Sequence, residues 1–209
     1  MAREEATEDF YKLAGTSDEE RLTLSATRSV RARLPWFFAT FLGGLAVAGM
    51  VWAFSGSGVL SRAVILAGFI PVILGMGGNL GTQSSTIIVR GLATGRIDAR
   101  LVWRVIFKEL RTAIALGLVY GALLAGVAMI VYRHPLMATG RPVSTSALLL
   151  GLSLFASMMI AASIGSIVPV VMQRVGLDPA VATGPFVTTS VDVLGSFVFL
   201  SLSSRMLAL

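Results

Sequence analysis

The sequence predicts an all-α membrane protein that crosses the bilayer five times, and three observations lead to this fold class. Of the 209 residues, 55% are hydrophobic and 13% are charged, against about 25% charged in an ordinary soluble domain. The charged residues are clustered, so that five long stretches are almost free of charge. These stretches lack the alternating pattern of membrane-spanning strands, and helices are therefore predicted.

Each of the five stretches reaches the length of about 20 residues that an α-helix needs to cross a hydrocarbon layer of about 30 Å. The stretches contain 28, 27, 21, 32 and 26 residues, and they lie between Arg33 and Arg62, Arg62 and Arg90, Arg111 and Arg133, Arg141 and Arg174, and Asp178 and Arg205. We predict membrane spans at about 35–54, 63–89, 102–132, 144–173 and 180–205. Asp178 is the predicted N-cap of the fifth span.

The distribution of basic residues predicts the orientation. Five spans place the two termini on opposite sides of the membrane. One side carries thirteen Lys and Arg residues, mainly from the N-terminal segment and from the connection between the second and third spans, and the other side carries four. Because cytoplasmic loops are enriched in Lys and Arg, the N-terminus is predicted in the cytoplasm and the C-terminus outside the cell, in a plasma (inner) membrane.

The chain divides into a linker, residues 1–32, and a transmembrane domain, residues 33–209. The linker is acidic and then basic: residues 1–20 hold seven of the eleven acidic residues, which does not fit the basic start of a signal peptide. In the rest of the chain, Lys and Arg outnumber Asp and Glu, and the enrichment of cytoplasmic loops in basic residues explains this excess. No nucleic-acid partner is therefore predicted. Without Cys, a disulfide framework and thiolate metal sites are excluded. The sequence contains no phosphate-binding loop and no His within a span, so no enzyme is predicted.

Asp192 is the one charged residue in the middle of a predicted span. A charge at that depth costs about 2.5–3.5 kcal/mol on insertion scales and by default indicates function. No Lys or Arg lies within twelve residues on either side, and the other four stretches contain none. Two readings follow: a protonated Asp bonded to a neighbouring helix, or a carboxylate that faces a water-filled pathway for cations.

The second span carries an unusual cluster of glycine and uncharged polar residues. On a helix, Pro71, Gly75, Gly78, Thr82 and Ser85 form a stripe of small residues, with Asn79 and Gln83 beside it. Such stripes often serve helix packing alone, but the polar residues at membrane depth favour a pathway wall. The fifth span shows a matching stripe, and the two helices supply the candidate pore-lining residues: Gly75, Gly78, Gly81, Thr82, Gln83, Ser85, Gly184, Thr189 and Gly195.

The polar groups of these two spans suit a hard cation. Mg²⁺ prefers oxygen ligands, keeps several water molecules and uses few carboxylates, so Asp192, Thr188, Asn79 and backbone carbonyls fit it. The absence of His and Cys from both spans argues against Cu⁺ or Zn²⁺. One carboxylate per chain is sparse for a divalent ion, and a two-fold homodimer would double it.

Four segments resemble the signatures of the MgtE magnesium channel and transporter family, which is related to the eukaryotic solute-carrier magnesium transporters. They are RLPWFFATFLGGL at 33–45, PVILGMGGNLGTQSSTIIVRGLATG at 71–95, FKELRTAIALG at 107–117 and LDPAVATGPFVTTSVDVLG at 177–195. The resemblance runs from about residue 30 to 205, in the family's order of segments.

The resemblance implies passive Mg²⁺ transport through a homodimer of five-helix protomers, with one pore at the two-fold axis. The second and fifth helices would line that pore. Asp192 corresponds to the family's pore aspartate, the Thr188 carbonyl would join it beside a hydrated Mg²⁺, and Asn79 matches the polar stretch of the second helix. Gly184 replaces a polar side chain found in some relatives.

The resemblance also has departures, and alternatives remain. The family's cytosolic N domain and CBS domains have no counterpart here, while residues 4–15 resemble the helix that joins them to the membrane. This implies a transmembrane-only form. The alternative functions are a Na⁺-coupled or broader divalent cation transporter (Mn²⁺, Co²⁺, Ca²⁺) and a membrane scaffold that does not transport. Near the membrane surface, Glu109 is expected to pair with a neighbouring Arg.

Overall fold

The computed structural model describes residues 26–55, 66–97, 101–133, 142–182 and 184–208, and the structural statements below concern these residues. Residues 1–25 of the linker, together with Arg62, Arg100 and Arg141 from the charge count, lie outside them. The described residues form five long helices, which confirms the all-α prediction: α1 (Ala26–Ser55), α2 (Ile70–Ala93), α3 (Val102–Val131), α4 (Val143–Arg174) and α5 (Pro185–Ala208).

Four of the five helices are apolar and long enough to cross a membrane: Phe37–Phe54 within α1, all of α3 and α4, and Pro185–Met206 within α5. Helix α2 has 24 residues and hence a length of about 36 Å, which is sufficient to span. It differs in composition, because Asn79, Gln83 and several Ser and Thr residues replace apolar side chains along its middle. The prediction of five helices is therefore confirmed, and four of these helices are long and apolar enough to cross a membrane.

The start of the fifth helix differs from the prediction. Residues Pro179–Ala182 form a 3-10 turn, and α5 begins at Pro185, where the missing N–H of proline is no loss in a first helical turn. The Asp178 Oδ1 atom accepts a hydrogen bond from the backbone N–H of Ala180 at 2.9 Å. The prediction that Asp178 caps the fifth span is thus wrong, because its carboxylate caps the 3-10 turn that precedes it.

Helix α4 lies at the centre of the fold. It packs against α2, α3 and α5, whereas α1 packs mainly against α5. Small residues make up much of the buried surface of α4, among them Ser153, Ser157, Ala161 and Gly165. Small side chains let helix backbones approach closely, which is how helices associate where lipid removes the hydrophobic driving force.

Two glycine pairs mark the closest approaches. A Cβ atom on Gly121 of α3 would lie 2.8 Å from the carbonyl oxygen of Gly151 on α4, and one on Gly151 would lie as close to the carbonyl oxygen of Gly121. Further along α4, a Cβ atom on Gly165 would overlap the backbone of Gly81 on α2. Contacts at this distance leave no room for a methyl group, so glycine is required at these positions.

The first prediction compares two glycines of α3. Gly121→Ala should destabilise the protein by about 1–3 kcal/mol, because the added methyl group pushes α3 away from α4. Gly126→Ala is the matched control, since a Cβ atom there would have no neighbour within 4 Å. The midpoint of thermal unfolding in detergent should fall for the first variant and stay within error of the parent, or rise slightly, for the second. Equal midpoints for the two variants would contradict the close packing of α3 on α4.

Candidate functional site

The site is built on the seam between α2 and α5. Val187 and Val191 of α5 fit against two glycines of α2: a Cβ atom on Gly81 would lie 3.1 Å from Val187 Cγ1, and one on Gly77 would lie 3.0 Å from Val191 Cγ1. Because the residue numbers rise along α2 as they fall along α5, the two helices run antiparallel. The glycines of α2 thus provide a groove into which the valines of α5 pack.

The direction of the helices determines what flanks this seam. Each residue turns an α-helix by about 100°, and in an antiparallel pair the residues that follow the contact positions turn to the same side. Gly78 and Thr82 of α2 and Thr188 and Asp192 of α5 therefore lie on one side of the seam. All four are half-buried rather than buried. Helix α4 also packs against this seam, because the Oγ atom of Ser157 would lie 2.5 Å from a Cβ atom on Gly77.

Asp192 lies about two turns into α5 and is half-buried. Its carboxylate forms no ion pair with any residue that the structure describes. A carboxylate within a span is costly unless a cation, a hydrogen-bond donor or water compensates the charge. The described residues of the protomer supply no such cation, so an ionised carboxylate here would need a cation or water from outside them.

Thr188 lies one turn before Asp192. Its hydroxyl donates hydrogen bonds to the carbonyl oxygens of Gly184, at 3.3 Å, and Pro185, at 3.2 Å. The side chain is therefore engaged within the first turn of α5. The backbone carbonyl of Thr188 keeps a second lone pair beyond its helical hydrogen bond, and the hydroxyl oxygen keeps its own lone pairs, so both oxygens can still accept from a ligand.

The accessible face of α2 carries the amide side chains. Asn79 and Gln83 are exposed, and together with Thr82, Thr86 and Ile87 they line an open groove of about 540 Å³. The threonine hydroxyls are satisfied within the helix: Thr82 Oγ1 donates to the Gly78 carbonyl at 2.9 Å, and Thr86 Oγ1 donates to the Thr82 carbonyl at 2.8 Å. The two amides have no such partner among the described residues, so they are the free polar groups of the groove.

The structure distributes the other sequence-predicted site residues over two environments. Gly75 is exposed and Gly184 half-buried, whereas Gly81, Ser85 and Gly195 are buried at helix contacts. A Cβ atom on Gly195 would meet Leu74 Cδ2 and Ser157 Oγ, both at 3.0 Å. Within one protomer the helix turns Asn79 away from α5, so the structure does not bring it beside Asp192.

Thr189 faces α1 rather than α2. A Cβ atom on Gly43 of α1 would overlap the Thr189 side chain, and the Thr189 hydroxyl is buried without a hydrogen-bond partner among the described residues. A second groove, of about 460 Å³, runs between α1 and α5 beside Thr189, with Ala39, Leu42 and Phe186 among the residues that line it. Thr189 is thus part of the contact between α1 and α5.

Sequence reasoning missed the surroundings of Glu109. The residue was expected to pair with an Arg, but its partners in the described residues are Lys108, with Nζ 2.7 Å from Oε1, and Ser84 of α2, whose Oγ donates to Oε2 at 2.9 Å. A signal was present in the sequence, because Glu109 falls on the buried stripe of α3 that contains Val102, Ile106 and Ala113. A charged residue on such a stripe needs a buried partner.

The described residues contain no group of three or more His, Cys, Asp or Glu side chains that could hold a metal ion. A fully dehydrated divalent ion needs about six or more oxygen ligands. The polar groups beside the seam, which are one carboxylate, backbone carbonyls and amides, can instead hydrogen-bond to the water shell of a cation.

The chain is similar in sequence to known proteins. The sequence model of the MgtE family, described as a divalent cation transporter, matches residues 70–202. The chain is 38% identical over 181 residues to the magnesium transporter MgtE of Thermus thermophilus, and 31% identical over 176 residues to that of Bacillus subtilis. Each alignment covers 84% of this chain and 37% of the relative. The chain thus spans little more than a third of the length of these relatives.

The family match extends over more than half of the chain and includes α2 and most of α5, the two helices of the seam. The four helices that are long and apolar enough to span the bilayer agree with a multi-pass membrane protein. The chain therefore belongs to the MgtE family of divalent cation transporters.

Proposed function

We propose that the protein conducts Mg²⁺ passively across the membrane, through a pore at the two-fold axis of a homodimer lined by α2 and α5. The observation that carries this proposal is Asp192, a half-buried carboxylate within a span that has no ion-pair partner among the described residues. It lies on the same side of the α2–α5 seam as Gly78 and Thr82. The relatives that bear the name magnesium transporter supply the choice of ion.

Mg²⁺ would pass with its water shell largely in place. The ion sheds water reluctantly and binds proteins through one or two carboxylates while keeping several waters. Asp192 supplies the charge that attracts the ion, and the Thr188 carbonyl and the Asn79 amide are acceptors for the hydrogens of its water. Gly75 and Gly78 keep the wall of the path thin, because a glycine adds no side chain.

A second copy of the chain completes the pathway. One protomer offers a single carboxylate and a groove that is open along α2. The amides of that groove do not suit contact with lipid, because polar side chains at membrane depth face the protein interior or a water-filled cavity. A two-fold axis next to the groove would enclose it, place a second Asp192 opposite the first and leave the apolar surface of α3 to the lipid.

The orientation follows from the charges that flank the helices. On α3 the apolar stretch from Thr112 to Val131 spans about 30 Å, which is the thickness of the hydrocarbon layer, and it lies between Arg111 and Arg133. The basic residues near the start of α3 favour a cytoplasmic position for that end, because cytoplasmic loops are enriched in Lys and Arg. The N-terminus would then be cytoplasmic and the C-terminus extracytoplasmic, in the plasma (inner) membrane.

The family description, divalent cation transporter, favours a second candidate with broader selectivity. Mn²⁺, Co²⁺ and Ca²⁺ also accept oxygen ligands, so the groups beside the seam do not by themselves select Mg²⁺. A competition series in proteoliposomes, with each ion added to a fixed Mg²⁺ gradient and with Na⁺ present or absent, separates a Mg²⁺ channel from a broad or Na⁺-coupled transporter.

Removal of the charge at position 192 should stop transport. Asp192→Ala and Asp192→Asn, reconstituted in proteoliposomes that contain a Mg²⁺-sensitive dye, should conduct at the rate of protein-free vesicles, since the path then lacks its only carboxylate. The matched control is Asp178→Asn, which removes the charge of an exposed aspartate outside the helices and should conduct like the parent. Parental flux through a correctly folded Asp192→Ala variant would refute the pore assignment and favour a scaffold.

The exposed face of α2 should meet water within the membrane. Because the chain contains no Cys, single cysteines can be introduced without background. Asn79→Cys and Gln83→Cys in proteoliposomes should react with a charged, membrane-impermeant thiol reagent. Leu80→Cys, on the buried face, should remain unreactive, and so should Leu118→Cys, on an exposed apolar face that lipid would cover.

Leu118 is exposed on the isolated protomer but would face lipid in the membrane. The comparison with Leu118→Cys therefore distinguishes contact with water from exposure on the surface of one protomer. Reaction at positions 79 and 83 as slow as at position 118 would mean that the groove faces lipid or protein, and the proposed pathway along α2 would then be wrong.

A further inference from the structure

Glu109 is a buried carboxylate that plays no part in the pathway described above. It lies in the second turn of α3, and the residue is 2% exposed. Both oxygens are occupied: Oε2 accepts the 2.9 Å hydrogen bond from Ser84 Oγ of α2, and Oε1 lies 2.7 Å from Lys108 Nζ. A carboxylate excluded from water in this way requires its partners to stay in place.

The two partners of Glu109 differ in their surroundings. The Lys108 side chain is 62% exposed, so water can replace much of that interaction, and exposed ion pairs contribute little. Ser84 is fully buried, so water does not substitute for its hydroxyl. The hydrogen bond between Ser84 and Glu109 is therefore the buried polar contact that ties α2 to α3.

This hydrogen bond adds a polar restraint on the rotation of α2 about its axis, beside the packing of α2 on α4 and α5. Gln83 precedes Ser84 by about 100°, so when Ser84 points to α3, Gln83 and Asn79 remain on the accessible face. A second buried link lies three turns away on the same face of α2, where Ser157 Oγ of α4 donates to the Ile73 carbonyl at 3.3 Å. Elsewhere α2 packs on its neighbours through Gly77 and Gly81 and through the buried side chains of Ile73, Leu80 and Ile88, and these contacts involve no side-chain hydrogen bond donated by α2.

We propose that Glu109 is a positioning residue for ion conduction: through Ser84 it holds α2 in the rotation that keeps Asn79 and Gln83 in the pathway. Glu109 itself does not touch the ion. The inference rests on the proposed function, because it assumes that the accessible face of α2 lines the path. Glu109 lies outside that path and acts on it through its hydrogen bond to Ser84.

The test compares variants that keep or lose the acceptor for Ser84. Glu109→Ala and Ser84→Ala each break the hydrogen bond, and the Mg²⁺ flux per folded protein should fall by about 10-fold or more, as is usual when a group that orients a metal ligand is lost. Glu109→Gln keeps an oxygen that can accept from Ser84 and should restore most of the flux. Lys108→Gln, which removes the exposed partner, is the matched control and should conduct like the parent.

A second readout does not depend on transport. In the cysteine-free chain, Gln83→Cys and Leu80→Cys report the rotation of α2 through their reaction with the impermeant thiol reagent. Glu109→Ala should slow the reaction at position 83 and expose position 80, while Glu109→Gln should leave the parental pattern. This readout remains valid if Asp192 proves unnecessary for flux, so failure of the proposed function and failure of this inference are distinguishable.

Each outcome either supports or contradicts the positioning role of Glu109. A changed thiol pattern in Glu109→Ala that Glu109→Gln reverses supports positioning. An unchanged pattern overturns the inference, whether the flux falls or stays at the parental rate, because Glu109 would then act on stability or on another element. If Glu109→Ala fails to fold, Ser84→Ala replaces it, since that variant removes the hydroxyl and leaves the Glu109–Lys108 pair intact.

Discussion

The hydrocarbon layer supplies no hydrogen bonds, and the arrangement of the five helices depends on this constraint. Helix α2 carries amides, hydroxyls and glycines along a length sufficient to cross the bilayer, so each polar group needs a partner within the protein or access to water. Its threonines bond to carbonyls of their own helix, Ser84 bonds to Glu109, and the amides of Asn79 and Gln83 remain on the open face. The division of α2 into a packed face and a wet face follows for these groups from where they can be satisfied, whereas the buried Ser85 hydroxyl has no hydrogen-bond partner among the described residues.

Glycine makes that division possible. At Gly77 and Gly81 the backbone of α2 comes into direct contact with the valines of α5, and at Gly165 the backbone of α4 meets that of α2. Larger residues there would push the helices apart and move Asp192 away from Gly78 and Thr82. The close contacts on one side of α2 thus determine how the polar groups on its other side are spaced, which couples packing to the chemistry of the site.

The sequence was sufficient to predict the helices, because long stretches without charge have a simple explanation in a membrane protein. It also singled out Asp192, since none of the other four uncharged stretches contains a basic residue that could compensate it. The sequence did not show which glycines pack and which remain open: Gly75 and Gly81 belong to the same cluster, yet one is exposed and the other buried. That distinction depends on the rotation of α2 against α4 and α5, which is a tertiary property.

The two wrong predictions, for Asp178 and for Glu109, have related causes. Asp178 was placed at the start of the fifth span because the sequence shows a good cap followed by proline, but the chain forms a 3-10 turn before α5 begins at Pro185. Glu109 was assigned an Arg from its neighbours in sequence, whereas its buried partner is Ser84, 25 residues away. Local spacing identifies short-range partners, and a contact between two helices requires knowledge of how they pack.

The composition of α2 has a consequence for the biosynthesis of the protein. Helices enter the membrane in the order of their synthesis, and α2 is the one of the five described helices that lacks a continuous stretch apolar enough to be a candidate span. Its packing partners, α4 and α5, leave the ribosome only after it. Until they arrive, its glycine and serine face has no protein surface to cover it, so the native setting of α2 is reached late, when most of the chain has been made.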